Sequence, residues 1–231
     1  MFHVSNTRRT VLFCIFVPQI CEMSYKHIIF DIDGTMLNTE MADMLATQET
    51  FFQLTGEKRE LDEFRFSFGI PNSVVFPRLG IEDAGKASLM WAENYHKYLS
   101  SIRLFDGIEE VLKELKKRGY ILGIVTSKSR QEFNADFATF GLEHHFGTVI
   151  CVDDSPCPKP HPDPILEYLK RSDAKKPESI YIGDTLYDEQ CAHSAGIDFV
   201  LAVWGTHNRE EIKADYFLEA PLEILELFRS R

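Results

Sequence analysis

Short apolar runs separated by helical stretches constrain this 231-residue chain more than any other feature of it. His27–Phe30, Tyr120–Thr126, Thr148–Val152, Ser179–Ile182 and Phe199–Val203 are continuous in their apolar character rather than alternating, which is the pattern of a strand covered on both faces. Helical segments are expected over Gly107–Arg118, Gln131–Phe140, Pro164–Lys170 and Leu186–Ala195, with a last one over Pro221–Arg231. The first of these puts Ile108, Val111, Leu112 and Leu115 on one side, and Gly119 stops it. Doubly covered strands need a layer of helices on each side, so the expected fold class is α/β, a doubly wound parallel sheet of Rossmann-like form.

One stretch interrupts the alternation. From about Thr39 to Ser101 the spacing is helical, punctuated by Gly56, Gly69-Ile70-Pro71, Gly80 and Gly85, with almost no strand-like pattern. It reads as a small helical domain inserted after the first strand and hanging over one end of the sheet. The expected organisation is a core of residues 25–38 and 102–231, a helical cap of 39–101 hinged near Asn38-Thr39 and Ser101-Leu104, and an N-terminal extension, 1–24. In that extension Arg8-Arg9 precede the apolar run Val11–Val17 and Pro18, a superficial likeness to a signal peptide. The run is short and no small-residue cleavage site follows. It is read as an upstream extension ahead of Met23-Ser24, with a working signal or a surface-packed segment as alternatives.

The formal net charge of -11 argues against attraction to nucleic acid or an anionic membrane. It does not argue against a small anionic substrate, because a metal ion and one or two lysines reverse the local field. Cys14, Cys21, Cys151, Cys157 and Cys191 are odd in number and irregularly spaced, as expected of reduced thiols in a cytoplasmic protein. Cys151 and Cys157 with His161 match no zinc spacing. No apolar run reaches transmembrane length. The expected partner is a small phosphorylated metabolite, with no nucleic acid and no membrane, and the chain a monomer or homodimer.

In open parallel sheets the functional loops lie at the carboxyl ends of the strands. Asp31 and Asp33, within Asp31-Ile32-Asp33-Gly34-Thr35, follow the first strand, and Thr126, Ser127 and Lys128 follow the second. The third leads to Asp153-Asp154 and then Lys159-Pro160; Asp184-Thr185 and Asp188 follow the fourth. Two carboxylates one residue apart at the end of a buried strand repel each other and lose hydration. Such a motif requires a cation between them, a shared proton, or both.

Taken in order, Asp31-Ile32-Asp33-Gly34-Thr35, Thr126 at the end of Gly123-Ile124-Val125-Thr126, Lys159-Pro160 and Gly183-Asp184-Thr185-Leu186-Tyr187-Asp188 resemble the four motifs of the haloacid dehalogenase superfamily. The resemblance spans Tyr25 to Phe228 and is to the phosphatase branch with a small helical cap. It implies a Mg²⁺-dependent phosphohydrolase acting on a small phosphate ester, phosphoglycolate- or pyrophosphate-like, through an aspartyl-phosphate. Asp31 is then the nucleophile. Asp33 is the general acid and afterwards the base, its backbone carbonyl also touching the metal. Asp184 completes the Mg²⁺ site, and Asp188 reaches the metal directly or through water. The Thr126 hydroxyl, the Ser127 amide and Lys159 bind the phosphoryl group. Oxygen ligands without Cys or His favour Mg²⁺ over zinc.

Two other readings use the same residues: a phosphosugar mutase of β-phosphoglucomutase type, and a non-catalytic phospho-ligand-binding protein. No GxxxxGK[ST], GxGxxG or GxSxG motif occurs. His144, His145 and His161 are expected to be solvated or outer groups, and Asp153-Asp154 a solvated loop. Arg65, Arg78 and Lys58 are expected in surface ion pairs, with binding of a second substrate anion as the alternative. Trp91, Tyr95 and Tyr98, at helical spacing, are expected in the core of the cap.

Overall fold

The structure, a computed structural model, describes residues 25–229. The N-terminal extension expected over 1–24 lies outside the described residues. The chain enters through β1 (His27–Phe30), every residue of which is buried. It then crosses a short strand, β2 (Leu37–Asn38), into α1 (Glu40–Thr55), a 3-10 turn over Leu61–Ser67, α2 (Asn72–Arg78) and α3 (Ala84–Lys97). It returns through β3 (Arg103–Leu104), which pairs antiparallel with β2, so the two crossings form one ribbon. From there strands and helices alternate: α4 (Ile108–Lys117), β4 (Ile121–Val125), α5 (Arg130–Ala135), β5 (Phe146–Ile150), α6 (Asp163–Arg171), β6 (Ser179–Gly183), α7 (Leu186–Ala195), β7 (Asp198–Ala202), β8 (Tyr216–Leu218) and α8 (Ile224–Leu227).

The main sheet has the order β5-β4-β1-β6-β7-β8, and every pairing in it is parallel. The order reverses at β1, which has β4 on one side and β6 on the other. The crevice beyond the carboxyl ends of β1 and β6 is therefore the switch point at which such sheets bind ligands. Successive residues of β1 point to opposite faces. Ile28 and Phe30 join the cluster that holds Leu112, Leu115 and Ile224, whereas Ile29 joins Ile165, Tyr168, Tyr181 and Phe199. Helices α4 and α8 thus cover one face and α6 and α7 the other. The protein is the doubly wound α/β structure that the apolar strands demand.

The helical insert between β2 and β3 packs around its own cluster, which includes Phe51, Phe64, Val75, Phe76 and Ala87. Polar ties between α1 and α3 add to it: Trp91 Nε1 donates to Thr47 Oγ1 (3.1 Å) and Asn94 Nδ2 to Thr50 Oγ1 (2.9 Å).

Several boundaries differ from expectation for identifiable reasons. The helix expected over Gln131–Phe140 is divided into α5 and a 3-10 turn over Phe137–Phe140. The break falls at Asp136, whose carboxylate turns inward to meet Lys128 Nζ at 2.6 Å. Strand β5 begins at Phe146 and ends at Ile150, because a register shift between Leu122 and Gly123 admits Phe146 to the ladder. The last helix is limited to α8 behind a 3-10 turn over Pro221–Glu223. Strand β8, three residues at the sheet edge, is too short to show a period.

Candidate active site

The turn after β1 carries the first two candidates. Asp31 continues the ladder, its N–H donating to the Ile182 carbonyl (2.8 Å), and it is only 5 % exposed. Ile32 is fully buried and its carbonyl accepts from the amides of Met36 and Leu37 (both 2.8 Å), which closes a tight loop around Asp33. Gly34 has φ +73°, and a Cβ on it would lie 2.1 Å from Asp184 Oδ2. Behind it, a Cβ on Gly205 would lie 1.7 Å from the Gly34 carbonyl oxygen. Only two glycines let the loop fit between Asp184 and the segment after β7. Trp204 Nε1 fixes it there by donating to the Thr35 carbonyl (3.0 Å).

Lys159 is the centre of the buried charge. Its ammonium donates to Asp31 Oδ1 (2.9 Å) and Asp188 Oδ1 (2.6 Å), and lies 3.2 Å from the Tyr181 hydroxyl. Tyr181 in turn donates to the Val125 carbonyl (2.8 Å), which ties β6 to β4 under the site. Asp188 Oδ2 accepts from the Thr185 amide (3.0 Å) and hydroxyl (2.5 Å) in a capping box that opens α7. Both oxygens of Asp188 are therefore engaged by protein donors. Asp184 accepts one hydrogen bond, from Thr35 Oγ1 (3.1 Å).

The electrostatics follow from burial. Desolvation pushes Asp31 up to about 7; Lys159 opposes this, and Asp188 and Asp33 add to it. Asp184 is raised well above the ordinary carboxylate range by burial first, then by the charges of Asp188 and Asp31. For Asp188 burial also raises, but the charge and hydrogen bond of Lys159 and the donors of Thr185 outweigh it and hold this carboxyl low. Burial lowers Lys159, yet the charges and hydrogen bonds of Asp188 and Asp31 outweigh it and hold its ammonium above the ordinary lysine range.

Carboxylate oxygens of Asp31, Asp184 and Asp188 lie within 4.8 Å of one another. Three buried carboxylates against one ammonium leave an excess of negative charge, and all donors are hard oxygens. This set fits a divalent cation of the magnesium type.

Asp33 faces a cavity of about 380 Å³ between the sheet edge and the insert. Its Oδ1 lies 3.0 Å from Lys128 Nζ, which is also paired with Asp136. The Tyr95 ring of α3 sits over the same ammonium, with 5.3 Å to the centroid. Thr126 is buried and its hydroxyl accepts from the Lys128 amide (3.2 Å), whereas Ser127 is exposed and lines the cavity.

From the insert come Asp43, Phe68, Ile70, Trp91 and Tyr95. Trp91 and Tyr95, expected only as packing, stack on each other at 4.8 Å and also form this wall. Tyr98 is not part of it; its hydroxyl donates to Glu49 Oε2 (2.6 Å). Gly69, with φ +73°, approaches Thr185 so closely that a Cβ would lie 2.9 Å from its Cγ2.

Other expected candidates lie elsewhere. Arg65 is exposed and pairs with Asp62 (3.2 Å) and Glu40 (3.9 Å), and Lys58 rides over the Phe52 ring (5.9 Å). Arg78 is exposed outside the cavity lining. Asp154 pairs with Arg130 (2.8 Å) and Arg171 (3.0 Å). Lys128, Asp136, Tyr181 and Asp43 received no role from the sequence, although Lys128 stands two residues after Thr126 in a loop already marked as functional. Among the described residues, no helix is long and apolar enough to cross a membrane.

Comparison with known proteins finds relatives over most of the chain. The profile of the haloacid dehalogenase-like hydrolase family matches residues 28–202. The chain is 31% identical over 207 residues to the pyrophosphatase PpaX of Bacillus velezensis, covering 87% of this chain and 94% of that one. Among solved structures, a Lactobacillus plantarum protein provisionally named a phosphoglycolate phosphatase is 30% identical with a TM-score of 0.82, over 89% of this chain and 100% of that one. A haloacid dehalogenase-like family hydrolase of Streptococcus pneumoniae is 27% identical with a TM-score of 0.80, over 89% of this chain and 99% of the other.

Proposed function

The chain belongs to the haloacid dehalogenase-like hydrolase family, and from that premise we propose that it is a Mg²⁺-dependent phosphohydrolase of small phosphate esters working through a phospho-Asp31 intermediate. The observation that carries this reading is the clamp of Lys159 on Asp31, with Asp184 beside it, at the edge of the cavity. A nucleophilic carboxylate must be held still and relieved of repulsion by the phosphate dianion it attacks. Lys159 supplies part of that relief. Asp31, Asp184 and the backbone carbonyl of Asp33 would hold Mg²⁺, which when bound offsets the charge shared by carboxylate and phosphate. Asp188, its oxygens already engaged, stands behind as the support of Lys159.

An Asp31 carboxylate oxygen attacks phosphorus, and the bond from phosphorus to the ester oxygen breaks. Asp33, whose side chain faces the cavity, gives that departing oxygen its proton. It then takes a proton from water as the water oxygen attacks the phosphorus of phospho-Asp31. The bond from phosphorus to Asp31 breaks, inorganic phosphate leaves, and both carboxyl groups return to their starting state. The Thr126 hydroxyl, the Ser127 amide and Lys159 hold the phosphoryl oxygens meanwhile.

The test is phosphate release from a panel of phosphorylated metabolites with Mg²⁺, with and without Asp31→Asn. The substitution should reduce turnover at least about a thousandfold while the protein stays folded. Undiminished release by Asp31→Asn overturns the phospho-Asp31 mechanism. Isomerised phosphosugar without free phosphate would assign the mutase reaction instead, and neither product would leave a phospho-ligand-binding protein.

A further inference from the structure

We propose that the half of the cavity formed by the insert selects phosphate esters whose leaving group carries no negative charge and offers a hydrogen-bond donor, with Asp43 of α1 as the selecting group. This rests on the phosphohydrolase reading above and narrows it to a substrate class. The transferring phosphoryl group is met by Lys159 and the acidic pocket of the sheet edge. The leaving group must then extend toward the insert, where Phe68, Ile70, Trp91 and Tyr95 present an apolar and aromatic wall.

Among the described residues of the insert that line the cavity, the one ionisable carboxyl is Asp43 and there is no Lys or Arg. The cations of the insert that could have met a second anion are turned elsewhere: Arg65 toward Glu40 and Asp62, Lys58 over Phe52. The lysine nearest this wall, Lys128, is already shared by Asp33 and Asp136. A carboxylate or a second phosphate on the leaving group would therefore come to rest near Asp43 without a spare counter-charge.

Asp43 is built to accept from a ligand. Ser67 Oγ donates to its Oδ2 (2.7 Å), and among the described residues no other side chain donates to it. Ser67 is buried, so this bond orients the carboxyl while part of it remains open to the cavity. Burial pushes Asp43 up to about 7, with Ser67 opposing. A hydroxyl or ammonium group docking on it lowers the cost of its charge, and an anion raises that cost. A site that presents an unpaired acceptor discriminates strongly in favour of the ligand bringing the donor.

Three esters of one chain length test this: 2-hydroxyethyl phosphate, O-phosphoethanolamine and 2-phosphoglycolate, which end in hydroxyl, ammonium and carboxylate. Phosphate release with Mg²⁺ should give kcat/KM at least about tenfold higher for the first two than for the third. Asp43→Asn should shrink that ratio about tenfold, lowering the first two and raising the third. Asp43→Ser stands in if the first variant does not fold. A wild-type preference for phosphoglycolate, or a ratio unmoved by either variant, overturns the inference and leaves the phosphohydrolase reading intact. Absence of phosphate release from all three esters and from the wider panel overturns both.

Discussion

The two walls of the cavity are held in different ways. On the sheet side the supporting groups are gripped from several directions: Lys159 by Asp31, Asp188 and Tyr181, and Asp188 by Lys159 and both donors of Thr185. On the insert side the ties are single: Asp43 to Ser67 and Trp91 to Thr47. The insert meets the core through Ala42, Ala46 and Tyr95, which join the sheet's apolar cluster, and through Gly69 against Thr185, Tyr95 over Lys128, and Glu40 with His207 (3.2 Å). Bond making needs fixed geometry, and a sheet edge buttressed on both faces provides it. Recognition of a leaving group needs only a wall of the right character. The division implies that changes on the sheet side act on kcat, and changes on the insert side act on KM and on which ester is accepted.

The largest effect should come from the sheet side. Asp33→Ala is expected to lower kcat about 10²- to 10⁴-fold on an alkyl phosphate, because the departing alkoxide then lacks its proton. On p-nitrophenyl phosphate, whose leaving group departs without protonation, the loss should be clearly smaller. Equal losses on the two esters would show that Asp33 does something other than protonate the leaving oxygen.

An intermediate effect is expected where the walls touch. Gly69→Ala places a methyl group 2.9 Å from Thr185 Cγ2 at a position with φ +73°. It should raise KM about three- to tenfold with less change in kcat, since the insert is displaced while the Lys159 clamp stays in place. A fall in kcat at constant KM would erase the proposed division between the walls.

The smallest effect concerns stability. The Asp43 carboxyl is raised from 3.8 to about 7 in the folded protein. Between those values the folded chain holds a proton that the unfolded chain has released, so stability from this group is full below about pH 4 and is lost as pH climbs through 7. Asp43→Asn should therefore raise Tm relative to wild type by roughly 2 °C or more at pH 8, and by less at pH 5. A thermal-melt difference independent of pH would mean that Asp43 does not carry this cost.

The same contrast explains what could be read from the sequence. The convergence of Asp31, Thr126, Lys159 and Asp184 on one edge follows from strand-helix alternation alone, because each residue ends or follows a buried apolar run. The insert was visible as an interruption of that rhythm, but its contribution to the cavity was not. Asp43 stands in the first turn of α1, where an acid normally serves the helix dipole, and nothing local shows that this turn opens onto a cavity. Lys128 is placed by the sequence in a functional loop but without a role, because its partner Asp136, eight residues on, breaks α5 and turns inward. Tyr181 is hidden inside an apolar strand, where its ring is expected and its hydroxyl passes unnoticed.

The pairing of Leu37–Asn38 with Arg103–Leu104 bears on how the two walls can move apart. The polypeptide leaves the sheet and comes back to it side by side, so the insert is attached by one two-stranded stem rather than by two separated tethers. A stem of that kind bends and twists as a unit. Displacement of the insert then turns on this stem, and the residues just beyond it sweep the shortest arcs. Asp43, in the first turn of α1, and Tyr95, in the last turn of α3, are both among them. A ligand held between Asp43 and Tyr95 would sit near the stem and sense little of that motion.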